Sequence, residues 1–144
     1  MGSGRAASSW PYGTIATLNG RLVFGSDWPH APLNPMLAVH AAVTRTAANA
    51  PAADSSATPA EPTAWNPAER LALEAAIDAY TSVAAWASFD EQRKGALAKG
   101  MLADLVVLSE DIFEAPPSRL PSTRVTLTMF DGKIVYRRDS QSTN

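Results

Sequence analysis

The residues best suited to chemistry follow a short apolar run near the start of the chain. Residues 22–24 (LVF) end at Gly25, and Ser26 and Asp27 come directly after it. An apolar run bounded by glycine predicts a strand buried on both faces, and α/β proteins place their chemistry at the carboxyl ends of such strands. Asp27 is therefore a candidate catalytic or metal-binding carboxylate, because a buried carboxylate needs a partner. The alternative is that Asp27 caps a turn or the next helix.

Two further residues follow Asp27 closely enough to reach the same pocket. Trp28 either walls the mouth of that pocket or packs under the loop, and His30 is either a substrate contact or a surface histidine. His40 lies in a predicted helix, where packing is the expected role. A zinc site made of Asp27, His30 and His40 would need ligands that converge from a loop and a helix, and their spacing does not support it.

The composition excludes several classes of function. The chain has 144 residues, a net charge of −2 and no cysteine, so disulfides, thiol nucleophiles and sulfur metal sites are excluded. It has no basic stripe for nucleic acid, no apolar run of the roughly 20 residues that span a membrane, and no phosphate-binding or serine-nucleophile motif. The first five residues lack the apolar middle of a signal peptide. We therefore expect a cytoplasmic protein that binds neither nucleic acid nor membrane.

Helical patterns lie on both sides of Asp27. The pattern over residues 6–20 is helical and stops at Gly20, since Asn-Gly favours a helix end. Asn34 is placed to cap a second helix whose first residue is Pro35. Arg45 falls near the end of that helix, where a cation interacts favourably with the helix dipole.

The middle of the chain combines a loop with two helical patterns. Residues 47–64 contain no Leu, Ile, Val or Phe, which predicts a flexible loop. Asn66 followed by Pro67 and Glu69 predicts a helix start with a capping box. A second short helix is predicted over residues 82–88. Both helices are expected to serve packing.

The last third of the chain is strand-like. Residues 102–108 are apolar and interrupted only by Asp104, for which we favour a structural over a chemical role. Apolar residues alternate along 125–129, and Asp131-Gly132 is typical of a two-residue hairpin turn. These patterns predict a C-terminal hairpin joined by an earlier strand.

Four blocks of sequence resemble the C-terminal end of an amidohydrolase: GSDWPHAPLNPM, AVTR, AYTSVAAWASFDEQRKGALAKGMLADLVVLSEDIF and VTLTMFDGKIVYRR. The resemblance runs from about Trp10 to Arg138. It is closest to the amidohydrolase-3 branch of the metal-dependent amidohydrolase superfamily, which includes the N-substituted formamide deformylases. The GSDWP block and the later KG-L-G-ADLVVL block are its most specific parts, and they occur in the expected order.

This resemblance implies an α/β fold that is truncated relative to the family. Residues 10–90 would hold the last strand and helices of a (β/α)8 barrel, with the flexible insert at 47–64, and residues 91–138 would hold C-terminal β-sandwich strands and a hairpin. It implies that Asp27 is a ligand of a divalent metal, expected to be zinc, and the catalytic base. The other ligands, including an H-x-H pair, would lie upstream, and this chain has no H-x-H. Trp28 and His30 stay candidate substrate contacts with the alternatives given above, and the family often has an aliphatic residue at the position of His30.

Two hypotheses follow from the resemblance. In the first, the chain is the C-terminal part of a metal-dependent hydrolase of non-peptide carbon–nitrogen bonds. It would be inactive alone, would hold no metal alone, and would need a missing N-terminal barrel portion to act on a small amide. In the second, it is a free-standing oligomerisation or binding module derived from such a hydrolase. Unpaired edge strands would favour association of its copies. Whether the chain is itself an enzyme stays open at this point.

Overall fold

Helices precede a small antiparallel sheet in the described residues, 2–48 and 64–139 of this computed structural model. In chain order the elements are α1 (Ser3–Ala7), α2 (Tyr12–Thr17), α3 (Pro35–Thr44), a first 3-10 helix (Pro67–Glu69), α4 (Leu73–Tyr80), α5 (Ser82–Ala87), β1 (Leu105–Leu108), a second 3-10 helix (Pro117–Ser122), β2 (Val125–Phe130) and β3 (Lys133–Arg137). The fold is α/β, as predicted. The predicted flexible loop at 47–64 lies mostly outside the described residues.

Helix α2 ends where the Asn-Gly pair predicts. Asn19 has a φ of 57°, and its amide donates to the carbonyl of Ala16 at 3.0 Å. The amide of Gly20 donates to the carbonyl of Ile15 at 2.8 Å, which completes a Schellman cap. A Cβ at Gly20 would lie 2.6 Å from Cγ2 of Ile15, so this close approach requires glycine. The predicted helix end is confirmed.

The start of α3 is also confirmed. The Asn34 side chain accepts a hydrogen bond from the amide of Met36 at 3.1 Å, and Pro35 takes the first helical position. This arrangement satisfies one of the free amides at the helix start and uses a residue that has no amide to satisfy. Helix α3 ends at Arg45, which adopts the left-handed conformation with a φ of 61°.

The core lies where α3 packs against the second 3-10 helix and the residues around α4. Its buried members are apolar and come from distant parts of the chain: Met36, Val39, Ala42, Leu71, Ala76, Ile112 and Leu120. Three partly buried aromatic residues, Tyr12, Phe24 and Tyr80, pack against this cluster. The burial of apolar surface by α3 is therefore what joins the helical part to the segment before β2.

The predicted doubly buried strand at residues 22–24 is wrong. Residues 21–26 form no strand, and the amide of Phe24 donates to the carbonyl of Ala79 at 3.0 Å. Leu22 and Phe24 pack against the core, whereas Val23 is 48% exposed. An extended segment with neighbours on one side buries only alternate side chains. The sheet of the described residues is antiparallel throughout, so it shows no parallel barrel strand.

The helix predicted to start at Asn66 begins later, at Leu73. Asn66 has a φ of 49° and does not cap by its side chain, and Pro67–Glu69 form a 3-10 helix. The Glu69 carboxylate accepts hydrogen bonds from the amide and hydroxyl of Thr14, at 2.8 and 2.7 Å. Glu69 therefore satisfies the first turn of α2 instead of closing a capping box on its own helix.

The predicted hairpin and its supporting aspartate are confirmed. β1 pairs with β2 and β2 pairs with β3, all antiparallel. Asp131 and Gly132 form the turn with φ values of 49° and 72°, as a type I′ turn requires. The amide of Asp131 donates to Oδ1 of Asp104 at 2.7 Å, so Asp104 has a structural role. All five residues of β3 are exposed.

Candidate functional site

Asp27 lies in an exposed turn after the extended segment. The turn covers residues 27–30, and the carbonyl of Asp27 accepts a hydrogen bond from the amide of His30 at 2.8 Å. Asp27 has a φ of 49°, a left-handed conformation that aspartate adopts more readily than most residues. Because its side chain is exposed, the burial argument made from the sequence does not apply to this structure. The turn presents a carboxylate to the solvent.

The same turn brings the two proposed substrate contacts next to Asp27. Trp28 is 64% exposed, and His30 is exposed as well. Trp28 therefore does not pack under the loop in this structure. The three side chains share one solvent-facing turn, where other protein groups or a small molecule can reach them.

His40 takes the packing role that its helical position predicts. It is 8% exposed on α3, and burial lowers the pKa of its imidazole from the ordinary value of 6.5. Its Nδ1 atom is buried without a hydrogen-bond partner among the described residues. Burial of an unpaired polar atom costs free energy, so His40 is a weak point of the core.

A cavity of about 410 Å³ is lined in part by Phe24 and Gly25 of the extended segment. Aromatic rings form much of its wall: Trp10, Tyr12, Phe24, Trp65 and Tyr80. The rings are in contact, with centroid distances of 5.3 Å for Trp10 and Trp65, 5.4 Å for Tyr12 and Phe24, and 5.6 Å for Phe24 and Tyr80. Sequence reasoning missed this cavity, because its aromatic residues are far apart in the chain.

Arg45 is the one charged residue among the described residues that line this cavity. Its guanidinium carbon lies 4.9 Å from the ring centre of Trp65 and 5.3 Å from that of Tyr12. The sequence marked Arg45 only as a cation near a helix end. The structure adds that it is 9% exposed and sits within a cage of aromatic rings.

Comparison with known proteins decides the family. A profile described as the amidohydrolase family matches residues 1–136. This chain belongs to the amidohydrolase family. The match contains Asp27 and extends into β3, so the resemblance read from the GSDWP and ADLVVL blocks is confirmed at the level of the family. The profile leaves the formamide deformylase-like subtype as a prediction.

Two curated relatives of this amidohydrolase-family chain are much longer than it. It is 34% identical over 137 residues to protein LONG AFTER FAR-RED 3 of Arabidopsis thaliana. This alignment covers 94% of this chain and 21% of that protein. It is 29% identical over 138 residues to the putative amidohydrolase YtcJ of Bacillus subtilis (strain 168). That alignment covers 96% of this chain and 24% of the relative. The chain thus spans about a fifth to a quarter of these relatives. No solved structure matches it.

The amidohydrolase family generally uses a divalent metal, and the donor set of this chain fits such an ion only in part. The His, Asp and Glu side chains of the described residues form no group of three that could hold a metal. Protein metal sites of this kind take at least three protein ligands. Asp27 is suited to be one ligand, and the described part of the chain does not complete the set. In the same part of the chain, no helix is long and apolar enough to span a membrane.

Proposed function

We propose that this chain is the C-terminal part of a metal-dependent hydrolase of carbon–nitrogen bonds in small, non-peptide amides, and that it is inactive alone. The family match over residues 1–136 carries this proposal. The length of the relatives supports it, because this chain covers only 21% and 24% of them. The proposed metal is zinc and the proposed location is the cytoplasm. The predicted division into residues 10–90, from a barrel, and 91–138, from a sandwich, belongs to the same proposal.

In this proposal the 27–30 turn is the chain's contribution to the active site. Asp27 would be one ligand of the metal and would accept a proton during hydrolysis, as carboxylates do in general base catalysis. Its exposed position leaves room for ligands from another part of the protein. Trp28 and His30, exposed on the same turn, would contact the substrate.

The first prediction concerns the chain alone. After size exclusion, we expect well under one equivalent of metal per chain by mass spectrometry and no hydrolysis of an amide panel, because one carboxylate does not hold a catalytic metal. Asp27→Asn should give the same values, with Glu91→Gln as a control at another exposed carboxylate. A full equivalent of zinc that Asp27→Asn removes would contradict inactivity alone and would mean that copies build a site together.

The second prediction places the chain in a longer relative. In a chimera that replaces the matching 24% of YtcJ with this chain, we expect bound metal and hydrolysis of at least one amide. Asp27→Asn in the chimera should lower kcat/KM by roughly 10²–10⁴-fold, the range of a general base. Asp139→Asn, at an exposed carboxylate near the end of the described residues, should leave it unchanged. A chimera that keeps its metal and rate after Asp27→Asn would refute the role of Asp27.

A second candidate function is favoured by the exposed sheet. All five residues of β3 are exposed, and an apolar edge strand pairs readily with another chain. The chain would then be a non-catalytic module that associates with itself. A stable homo-oligomer without metal, together with a chimera that binds no metal and has no activity, would favour this candidate.

A further inference from the structure

Arg45 carries a buried positive charge that no carboxylate neutralises among the described residues. Only 9% of its surface is exposed, and the ion pairs of the described residues involve other cations. Its Nη2 atom is buried without a hydrogen-bond partner in the same part of the chain. A buried charge of this kind is costly unless an opposite charge and hydrogen bonds satisfy it. The positive charge of Arg45 is therefore uncompensated among the described residues.

Glu69, the carboxylate whose pKa the charge of Arg45 lowers, already accepts hydrogen bonds from another residue. The Glu69 carboxylate accepts both of its short hydrogen bonds from Thr14. Those bonds, first from the Thr14 side chain and then from its amide, lower the pKa of Glu69, and the charge of Arg45 adds a smaller lowering. The charge of Arg45 therefore acts on the Glu69 carboxylate at a distance, and the two side chains form no ion pair.

The backbone holds the Arg45 guanidinium in place. Its Nε donates to the carbonyl of Trp65 at 3.1 Å, and the Trp65 amide donates back to the carbonyl of Arg45 at 2.9 Å. The Arg45 amide also closes helix α3 by donating to the carbonyl of Ala41 at 2.9 Å. A donor group that is fixed before binding loses less conformational entropy when a ligand arrives.

The rings of Tyr12 and Trp65 lie at cation–π distance from the Arg45 guanidinium. The N–H donors of a guanidinium point outward in its plane, and a carboxylate pairs with two of them side by side. Small side chains at Ala38 and Ala41 leave the cavity open next to the rings. Its volume of about 410 Å³ lies in the range of small-molecule sites.

We propose that this cavity binds a small carboxylate carried on a flat apolar body, with Arg45 pairing the carboxylate and the aromatic rings contacting the body. None of the residues of the 27–30 turn lines this cavity, and the inference goes beyond the proposed hydrolase function. The test measures binding and not hydrolysis, so its outcome does not depend on the role of Asp27.

A purely structural role for Arg45 makes a different prediction. A cation at the end of α3 is favourable for the helix dipole, and lysine would serve that purpose equally well. The dipole does not require the planar set of donors or the open cavity. Arg45→Lys keeps the charge but removes the paired donors and also the Nε bond to the carbonyl of Trp65, so the two roles are separated by comparing a charged with an uncharged ligand of the same shape.

The probe is benzoate, and its control is benzamide, which has the same shape without the charge. Binding is followed by tryptophan fluorescence at constant ionic strength, since Trp10 and Trp65 line the cavity. We expect saturable benzoate binding that is at least roughly tenfold tighter than that of benzamide, because hydrogen bonds to charged groups are the stronger ones. We expect Arg45→Lys to weaken benzoate binding roughly tenfold to hundredfold.

Two further variants keep the test decisive if Arg45→Lys folds poorly. Ala41→Leu places a larger apolar side chain in the cavity, and it should abolish benzoate binding. Arg70→Lys is the matched control, because Arg70 also donates through Nε to a backbone carbonyl, that of Thr44 at 3.1 Å, but is exposed. Equal binding of benzoate and benzamide, or unchanged benzoate binding in Ala41→Leu, would overturn the proposal. An absence of saturable binding would also overturn it.

Discussion

At the scale of single residues, the surroundings of Asp27 and Arg45 are what the sequence did not give. The carboxylate expected to be buried lies on an exposed turn, and the cation predicted only to lie near a helix end is 9% exposed among aromatic rings. The difference follows from what surrounds each backbone position. The turn at Asp27 projects away from the core, whereas the end of α3 meets Trp65 from a distant part of the chain.

His40 gives a third prediction, at the same scale. Burial lowers its pKa below 6.5 in the folded chain, so the unfolded chain binds a proton first as the pH falls. Stability from the neutral imidazole is therefore fully present above about pH 6.5 and is lost as the pH falls towards the folded-state pKa. We expect the urea midpoint to fall between about pH 7 and pH 5.5, and we expect His40→Gln to remove much of that fall.

The pH window and the control make this measurement specific to His40. Glu69 and Asp90 also have lowered pKa values, but their ordinary values are 4.5 and 3.8, so the stability that they add is lost at lower pH. His30, the other histidine of the chain, is exposed, and His30→Gln is the matched control. An identical pH profile for His40→Gln and the unaltered chain would show that burial of His40 does not set the pH dependence.

At the scale of elements, close packing between α5 and the loop after it depends on one glycine. Gly95 has a φ of 93°, and a Cβ built there would lie 2.6 Å from the Cβ of Ala85 and 3.1 Å from the Cα of Ser82. Core positions tolerate such overlap poorly. The loop therefore reaches α5 only with glycine at this position.

The fourth prediction compares this glycine with a second one. Gly95→Ala should lower the free energy of unfolding by about 1–3 kcal/mol for overpacking, in addition to about 1–2 kcal/mol for the left-handed backbone. Gly100 has a φ of 91° with nothing within 4 Å of its added Cβ, so Gly100→Ala should show the backbone cost alone. Urea unfolding measures both values, and equal losses in the two variants would contradict the packing argument.

At the scale of the whole molecule, the sheet is the part that the rest of the described chain covers least. Val106, Ile134, Val135 and Tyr136 are between 47% and 61% exposed. Exposed apolar patches of this kind mark surfaces that contact another protein. The family match and the length of the relatives agree with a sheet that needs additional protein around it.

The fifth prediction tests this surface in solution. We expect the chain to self-associate with rising concentration in light scattering after size exclusion, because β3 is an exposed, apolar edge. Val135→Lys should shift the population towards the monomer, since a charge on an edge strand opposes pairing. Gln92→Lys adds the same charge at an exposed polar position outside the sheet and should not change the association. A chain that is monomeric at all concentrations would count against the second candidate function.

The sequence by itself determined the features that depend on neighbouring residues. The Asn34 cap, the Gly20 helix end and the Asp131 turn were predictable because their hydrogen bonds join residues within about five positions. The amidohydrolase family was also within reach of the sequence, since the GSDWP and ADLVVL blocks lie in the expected order. These features need no knowledge of how distant segments pack.

Only the tertiary structure decided the environments that distant segments create. Glu69 serves Thr14, 55 residues away in the chain, so no local pattern separates this contact from a capping box. Val23 is 48% exposed because no second layer within the described part of the chain covers its side of the extended segment. The cavity at Arg45 exists because α2, α3 and the Trp65 segment meet there. Local hydrogen bonding is encoded in adjacent residues, whereas burial and charge pairing depend on which surfaces the folded chain brings together.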